Sequence, residues 1–409
     1  MDVTTNTKKV PKLRFPEFEG EWHLELIGAI LERVGDAVQV DPEAIYREIG
    51  VRSHGRGVFH KDEVTGRSLG DKRVFHVVPN AFVLNIVFAW EQAVAMTTDS
   101  EKGFIASHRF PMFIEKSGKS YLPFVRELFL RKRGKYLLEL ASPGGAGRNK
   151  TLGQQEFLKL KTNIPKRDEQ KKIAAFLGAV DKKLVALKAK RDLLTDYKRG
   201  VMQQVFSQQL RFKRDDGSEF PNWEDKRLGE VATFSKGKGI SKADISNDGV
   251  LPCIRYGELY TLYSEVIEEV ASRTDIAADE LSLSQANDVI VPASGEDRLD
   301  MARACCVMHS GVALGGDLNV LRSEMSGVFL AYYLSNAKRK EIARFAQGNS
   351  IVHLYGTQLK IMFISVPHPD EQKKIADFLS ALDAKIDAIA AQIAQMKAFK
   401  KGLLQQMFV

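Results

Sequence analysis

The chain has 409 residues, 44% of them hydrophobic and 27% charged, with a formal net charge of +8, which excludes a single ordinary domain and predicts two to four soluble globular ones. Three cysteines, Cys253, Cys305 and Cys306, exclude a disulfide framework, and without a CxxC or a Cys/His cluster they offer no zinc site, so a reducing cytoplasm is the expected location. The positive charge favours a polyanionic partner but is uneven: +5 over residues 1–165, +6 over 166–206, −4 over 207–366 and +1 over 367–409, so bulk charge alone does not bring nucleic acid to both halves.

The opening MDVTTNTKKV lacks the apolar run of a signal peptide. It leads into KLRFPEFEGEWHLELIG, a stretch whose parts return later in the chain. The most apolar segment, Val74 to Trp90, is interrupted by His76, Pro79, Asn80 and Asn85; it reads as buried strands and not as a membrane span. The basic cluster Arg131 to Lys135 reads as a solvated helix or strand end. GGAGRNKT, Gly144 to Thr151, fails the spacing of a phosphate-binding loop, because Asn149 stands where a glycine must precede Lys150.

DEQKKIA follows at Asp168 to Ala174 and recurs at Asp370 to Ala376. Extended without gaps, Pro165 to Phe206 pairs with Pro367 to Phe408, and 20 of the 42 positions are identical. That is a duplicated element. Alternating steps of four and three run through Ile173, Leu177, Val180, Leu184, Leu187, Arg191, Leu194, Lys198, Val201 and Val205. In the second copy they run through Ile375, Leu379, Leu382, Ile386, Ile389, Ile393, Met396, Lys400, Leu403 and Met407. A period of 3.5 sustained this far predicts a coiled-coil seam. Each helix starts after a proline with Asp and Glu in its first turn. The partner of each is expected to be the other, the competing arrangement being a helix folded onto its own domain. Lys198 and Lys400 interrupt the stripe on both and are read as setting register or snorkelling. PDEQK superficially resembles a nuclease metal site. Adjacent Asp370 and Glu371 do not converge on a cation as carboxylates from separate strands do.

The duplication extends past the helices. Leu13-Arg14-Phe15 matches Leu210-Arg211-Phe212, Trp22 matches Trp223, and Gly28 matches Gly229. The boundaries drawn are 1–160 and 210–365 for two globular domains, with 161–209 and 366–409 for the helices. Between the shared edges the domains have little in common. The fold class is α+β: two mixed α/β domains separated by two long helices, a pseudo-two-fold internal repeat. Neither a glycine-rich cofactor turn nor a Pro-Pro-Tyr/Phe site is present, and no Ser, Cys or His constellation suggests a nucleophile. The chain is not expected to be an enzyme by itself.

IPKRDEQKKIAAFLGAVDKK, VPHPDEQKKIADFLSALDAK, LRFPEFEGEW, FSKGKGISKADI (Phe234 to Ile245) and LGGDLNVLRSEMSGVFLAYYLSN (Leu314 to Asn336) together resemble the specificity subunit of a Type I restriction–modification system, over essentially the whole chain. The resemblance implies two target-recognition domains, each reading half of a split sequence in double-stranded DNA. It implies helices packed antiparallel as a spacer and as a docking surface for two methyltransferase subunits, with restriction/translocase subunits joining through the complex. No cofactor is expected on this chain; S-adenosylmethionine, ATP and Mg belong to the partner subunits. One departure is that SPGGAGRNKTLGQQEF, before the first helix, lacks the second domain's QGNSIVHLYGTQL pattern, so the two domains are expected to place their DNA-facing loops differently.

Base edges carry sequence information while phosphate contacts position a protein. In the first domain the candidates are Arg52, His54, Arg56, Lys72, Arg73, Arg109, Arg148, Asn149 and Lys150. Arg52, Arg56 and Arg109 suit guanine, and Asn149 suits adenine. In the second domain they are Lys236, Lys238, Ser241, Lys242, Arg255, Ser294, Arg298, Asn349 and Ser350, with glycines that let backbone approach a duplex. Each has the alternative of being a solvated surface group. A reading from another class, a coiled-coil adaptor whose two domains bind proteins, is separated from this one by the salt dependence of duplex binding.

Overall fold

The computed structural model describes residues 9–144, 150–348 and 351–409. Both duplicated elements are unbroken helices, Arg167–Phe206 and Pro369–Gln406. At 1.5 Å per residue, the 40 residues of the first make a rod of about 60 Å. The chain divides into two compact units, Met1–Leu187 with Gln392–Val409, and Lys188–Ala391. The divisions fall inside the rods because each rod end is built into a globular core.

In the first unit, one four-stranded sheet runs Leu31–Val34, Met112–Glu115, Phe82–Leu84, Val94–Met96. A second runs Val58–Thr65, Ile45–Val51, Ile105–Ser107, Val74–His76. The apolar segment from Val74 does supply two strands, but only Phe82–Leu84 is buried throughout; Val74–His76 is buried at Val74 and exposed at His76, and the segment finishes in a short turn at Ala89–Glu91. Arg131 is not the solvated end its neighbours suggested. It is buried, donates to the Val409 carbonyl and lies over the Phe408 ring, and burial lowers its guanidinium to about 10.

In the second unit, a five-stranded sheet runs Ala232–Lys236, Leu318–Ser323, Asp288–Pro292, Cys305–Val307, Val266–Ile267. A four-stranded sheet runs Ser272–Thr274, Leu251–Ile254, Ala313–Leu314, Ser282–Leu283. The three cysteines are free and buried. The unit's main core joins Val201, Met202 and Val205 of one rod to Ile375, Ala376 and Leu379 of the other, and both to Phe329, Leu330 and Tyr333 of the helix Gly327–Asn336. The alternatives left by periodicity, rod on rod or rod on domain, are therefore both realised.

The heptad stripe is the buried stripe. Ile173, Leu177, Val180, Leu184, Leu187 and Val201 are buried, with Leu194 partly so; Ile375, Leu379, Leu382, Ile389, Ile393 and Leu403 are buried, with Ile386 and Met396 partly so. Neither stripe lysine snorkels. In the first unit Lys400 Nζ donates to both Asp181 oxygens at 2.7 and 2.8 Å. In the second unit Lys198 Nζ donates to both Asp383 oxygens at 2.7 Å. Asp181 and Lys198 stand 202 positions before Asp383 and Lys400, so the two pairs are one interaction made twice with the rods exchanging roles. In each unit a rod's early residue meets the other rod's late one, an antiparallel pairing.

The repeat DEQKKIA is also a joint. Glu169 takes a bidentate pair from Arg14 at 2.9 and 2.7 Å and a bond from the Trp22 indole at 3.3 Å. Glu371 takes the same from Arg211 at 2.6 and 2.7 Å and from Trp223 at 3.1 Å. The next residue fastens the rod to its domain: Gln170 accepts from the Tyr121 amide and donates to the Pro165 carbonyl. Gln372 accepts from the Ser326 amide and donates to the Pro367 carbonyl. Phe15 meets Phe176 edge-on as Phe212 meets Phe378. The LRF…W motif is thus the socket for the DEQ motif. Asp370 is exposed while Glu371 is fully buried and consumed, so the two carboxylates share no site.

Candidate nucleic-acid interface

In the second unit most of the candidate loops are stitched into one end. Lys238 N donates to Leu314 O at 2.8 Å and Gly316 N to Gly239 O at 2.9 Å, interleaving two glycine loops. A Cβ on Gly237 would stand 2.0 Å from the Gly315 carbonyl, so only glycine fits there. Gly315 N bonds Ile254 O, which brings Arg255 alongside. Ala293 N then bonds Asp317 O, and Leu354 N bonds Ala293 O. Ser294 pairs with His353 across a two-stranded ribbon, and Arg298 donates to Gly348 O. Ser241 and Lys242 open the short turn Lys242–Asp244 that leaves the glycine loop. Asn349 and Ser350 lie outside the described residues.

In the first unit Arg52 and Gly57 close a turn whose His54 and Gly55 amides donate to Glu91 O and Gln92 O. Arg52 lies over the Phe59 ring and Lys150 over the Trp90 ring, at 4.9 and 5.8 Å. Ile86 joins the rest, its amide bonding Arg109 O and its carbonyl accepting from Leu152. Arg56 is exposed, and Arg73 takes the His108 amide on its carbonyl. Lys72 is committed elsewhere: its Nζ holds both oxygens of buried Glu48, at 2.7 and 2.9 Å. Arg148 and Asn149 lie outside the described residues. His54 and Ile240 carry positive φ, 60° and 61°, so each unit has a strained non-glycine residue within its candidate loops, as ligand-facing loops often do.

Sequence reasoning missed the aromatic half of both ends. Trp90 in the first unit and Phe234 and Tyr355 in the second lie under cations, and Asn319 lines one groove with the last two. Trp90 closes an otherwise apolar segment that reads as core, and Tyr355 follows a β-strand-like VHL; neither pattern announces a surface ring. Among the described residues, no three His, Cys, Asp or Glu side chains cluster as metal ligands would, and no helix is long and apolar enough to cross a membrane.

The family model for the Type I restriction modification DNA specificity domain matches residues 81–194 and 221–398, well over half of the chain. Two relatives from Methanocaldococcus jannaschii are each 24% identical. The Type I restriction enzyme MjaVIII specificity subunit aligns over 61% of this chain and 61% of its own length. The putative type I restriction enzyme MjaX specificity subunit aligns over 62% and 60%. The chain therefore spans about three-fifths of the length of these relatives. The fold is similar to that of the Type-I restriction-modification system S subunit from M. genitalium, at 15% identity and TM-score 0.60 over 98% of this chain and 99% of that one. It is similar also to the HsdS subunit from Thermoanaerobacter tengcongensis, at 16% identity and TM-score 0.50 over 95% and 96%. With two matched specificity domains and the duplicated rods between and after them, the chain belongs to the family of Type I restriction–modification specificity subunits.

Proposed function

We propose that the chain reads a bipartite, asymmetric duplex target, one half through each domain, and contributes no catalysis itself. It docks two methyltransferase subunits and, through them, restriction subunits; S-adenosylmethionine, ATP and Mg are the partners' cofactors. The observation that carries this reading is a pair of matching joints that present dissimilar loop ends. Identical sockets at Glu169 and Glu371 imply a scaffold kept constant, while domains whose sequences have little in common between the shared edges imply two separate objects read. The rods then serve as a spacer, addressing half-sites on the order of one helical turn, about 34 Å, apart. Exposed Tyr197 and Phe399 on the rods supply aromatic anchors for docking, since aromatic side chains are enriched at interface cores, and exposed Val185 and Leu193 add apolar surface.

The test is an exchange. Residues 229–365 are replaced with the matching domain of a relative, the chain is co-expressed with its methyltransferase partner, and the methylated motif of the host genome is profiled. One half of a split motif changes and the other stays. Both halves changing together, or a motif indifferent to the exchange, overturns the reading.

A further inference from the structure

A groove of about 300 Å³ in the second unit is lined by Phe234, Ser235, Lys236, Asn319, Tyr355, Gly356, Thr357 and Lys360. It lies in a stretch whose net charge is −4, yet its lining holds two lysines and no carboxylate. Lys236 Nζ sits 5.8 Å from the Tyr355 ring and Lys360 Nζ 5.6 Å from the Phe234 ring. Ring faces hold a cation without using its N–H donors, so both ammonium groups keep hydrogen bonds to give.

Asn319 is 1% exposed. Its Nδ2 donates to the Leu354 carbonyl at 2.9 Å; a carbonyl only accepts, which fixes the amide orientation. Its Oδ1 is left buried with no partner. An unmet buried acceptor is costly, by about 1–3 kcal/mol, and one kept in a fold marks a place of strain, of function or of a bound water or ion. A Cβ at Gly356 would lie 3.5 Å from this oxygen, so the glycine keeps a methyl out of the approach. Tyr355 and Lys360, which line the same groove, are exposed, and surface side chains change rotamer in picoseconds to nanoseconds.

We propose that this groove is a DNA contact of the second domain in which Lys236 and Lys360 take a backbone phosphate and Asn319 Oδ1 accepts from the exocyclic amino group of a base. The assignment rests on the DNA-reading function proposed above. It is confined to the second unit. The strand pairing Ala232–Ser323 continues to Lys236–Asn319, whereas the matching pairing Leu31–Glu115 ends at Val34–Met112. The next residues there are Gly35 and Pro111, and Gly153 stands where Tyr355 would, each just before its short helix.

Two variants of the chain in complex with its methyltransferase partner test the proposal. Lys360→Gln weakens binding to random-sequence duplex and to the methylated motif alike, several-fold, and reduces the slope of log K against log salt by about 0.9. Gly356→Ala places a methyl at ordinary contact distances, 3.4 Å from Phe234 and 3.5 Å from Asn319, so it folds; unchanged thermal unfolding verifies this. It relaxes discrimination at one base pair about tenfold, as expected for one hydrogen bond. That base pair lies in the half of the motif that the exchange assigns to the second domain. Loss in only one variant overturns the role given to the silent residue, and wild-type behaviour in both overturns the site. A wild-type complex whose duplex binding ignores salt overturns the DNA-reading function itself.

Discussion

The two units solve one mechanical problem identically and one recognition problem differently. Where rod meets domain, the same atoms recur: a buried glutamate holding Arg and Trp, and a glutamine bridging helix start to helix start. One step further into the domain the likeness stops. Glu127 in the helix Leu122–Leu130 occupies the place that Tyr332 has in Gly327–Asn336, each six residues after the amide held by the glutamine. Tyr332 donates its hydroxyl to Asp383 and completes the Lys198 pair. Each lysine has a second carboxylate near it, Glu265 at 3.8 Å from Lys198 and Glu127 at 3.7 Å from Lys400, but only Glu127 stands on this helix, more deeply buried and balanced by Arg126. A constant joint and a variable interior mean that the two halves of the chain answer to different constraints.

The joint offers the largest effect. Glu169→Gln and Glu371→Gln each leave a half-buried arginine without its bidentate carboxylate, at a cost of roughly 3–5 kcal/mol. Because the partners are the same, the two losses should agree within about 1 kcal/mol when denaturant unfolding of the complex is followed. A large loss from one and none from the other would mean that the sockets are alike in geometry but not in strength.

This joint was half legible in the sequence. Constant offsets tied LRF to LRF and Trp22 to Trp223, and the period of 3.5 drew the buried stripe nearly residue by residue. No rule of periodicity links LRF…W to DEQ, however, because a contact spanning about 150 positions leaves no local trace. Lys198 and Lys400 looked like breaks in an apolar stripe; only the facing rod shows that each break meets an aspartate. The recognition ends were the least legible. Arginines and lysines beside glycines mark candidate cations, but that rule does not separate Lys236 from Lys72, whose charge Glu48 consumes. Trp90, Asn319 and Tyr355 belong to segments that read as strand or core; the pairing of Asn319 with Lys236 comes from strand register, which a single sequence does not fix.

The rod pairs sharpen the comparison at the next level. Lys198→Met leaves Asp383 with the Tyr332 hydroxyl and with the partly exposed Glu265, which lies 3.8 Å from Lys198, and should cost about 2–3 kcal/mol. Lys400→Met leaves Glu127 and Asp181 facing each other with only Arg126 between, and should cost more at neutral pH. Burial raises the Glu127 carboxyl above its ordinary range. A carboxyl raised on folding binds its proton more tightly in the native state, so its ionised form destabilises and the penalty fades as pH falls. The Lys400 variant should therefore recover part of its loss in mildly acidic buffer, and the Lys198 variant should not. Parallel pH profiles would mean that Glu127 plays no part in the difference.

The smallest effect concerns the first unit alone. Glu101 is buried, which by itself would raise its carboxyl, but hydrogen bonds from Ser100, His60 and Thr98 outweigh that and hold it at about 2. A carboxylate depressed on folding contributes stability above its ordinary value, here 4.5, and loses it as pH falls from there towards 2. After discount for the half-exposed His60, the contribution at neutral pH is about 2 kcal/mol. Glu101 caps the turn Asp99–Glu101, which leads into the strand Ile105–Ser107 beside Arg109. Glu101→Gln should thus loosen the first unit's recognition end and leave the second unit's intact. Hydrogen exchange at neutral pH would show faster exchange across residues 97–107 and no change across 314–321. On lowering the pH towards 3, wild-type exchange corrected for intrinsic rate should approach that of the variant, because protonation removes from one what the substitution removed from the other. If the difference persisted unchanged into acid, the glutamate would be holding the turn by shape and not by charge.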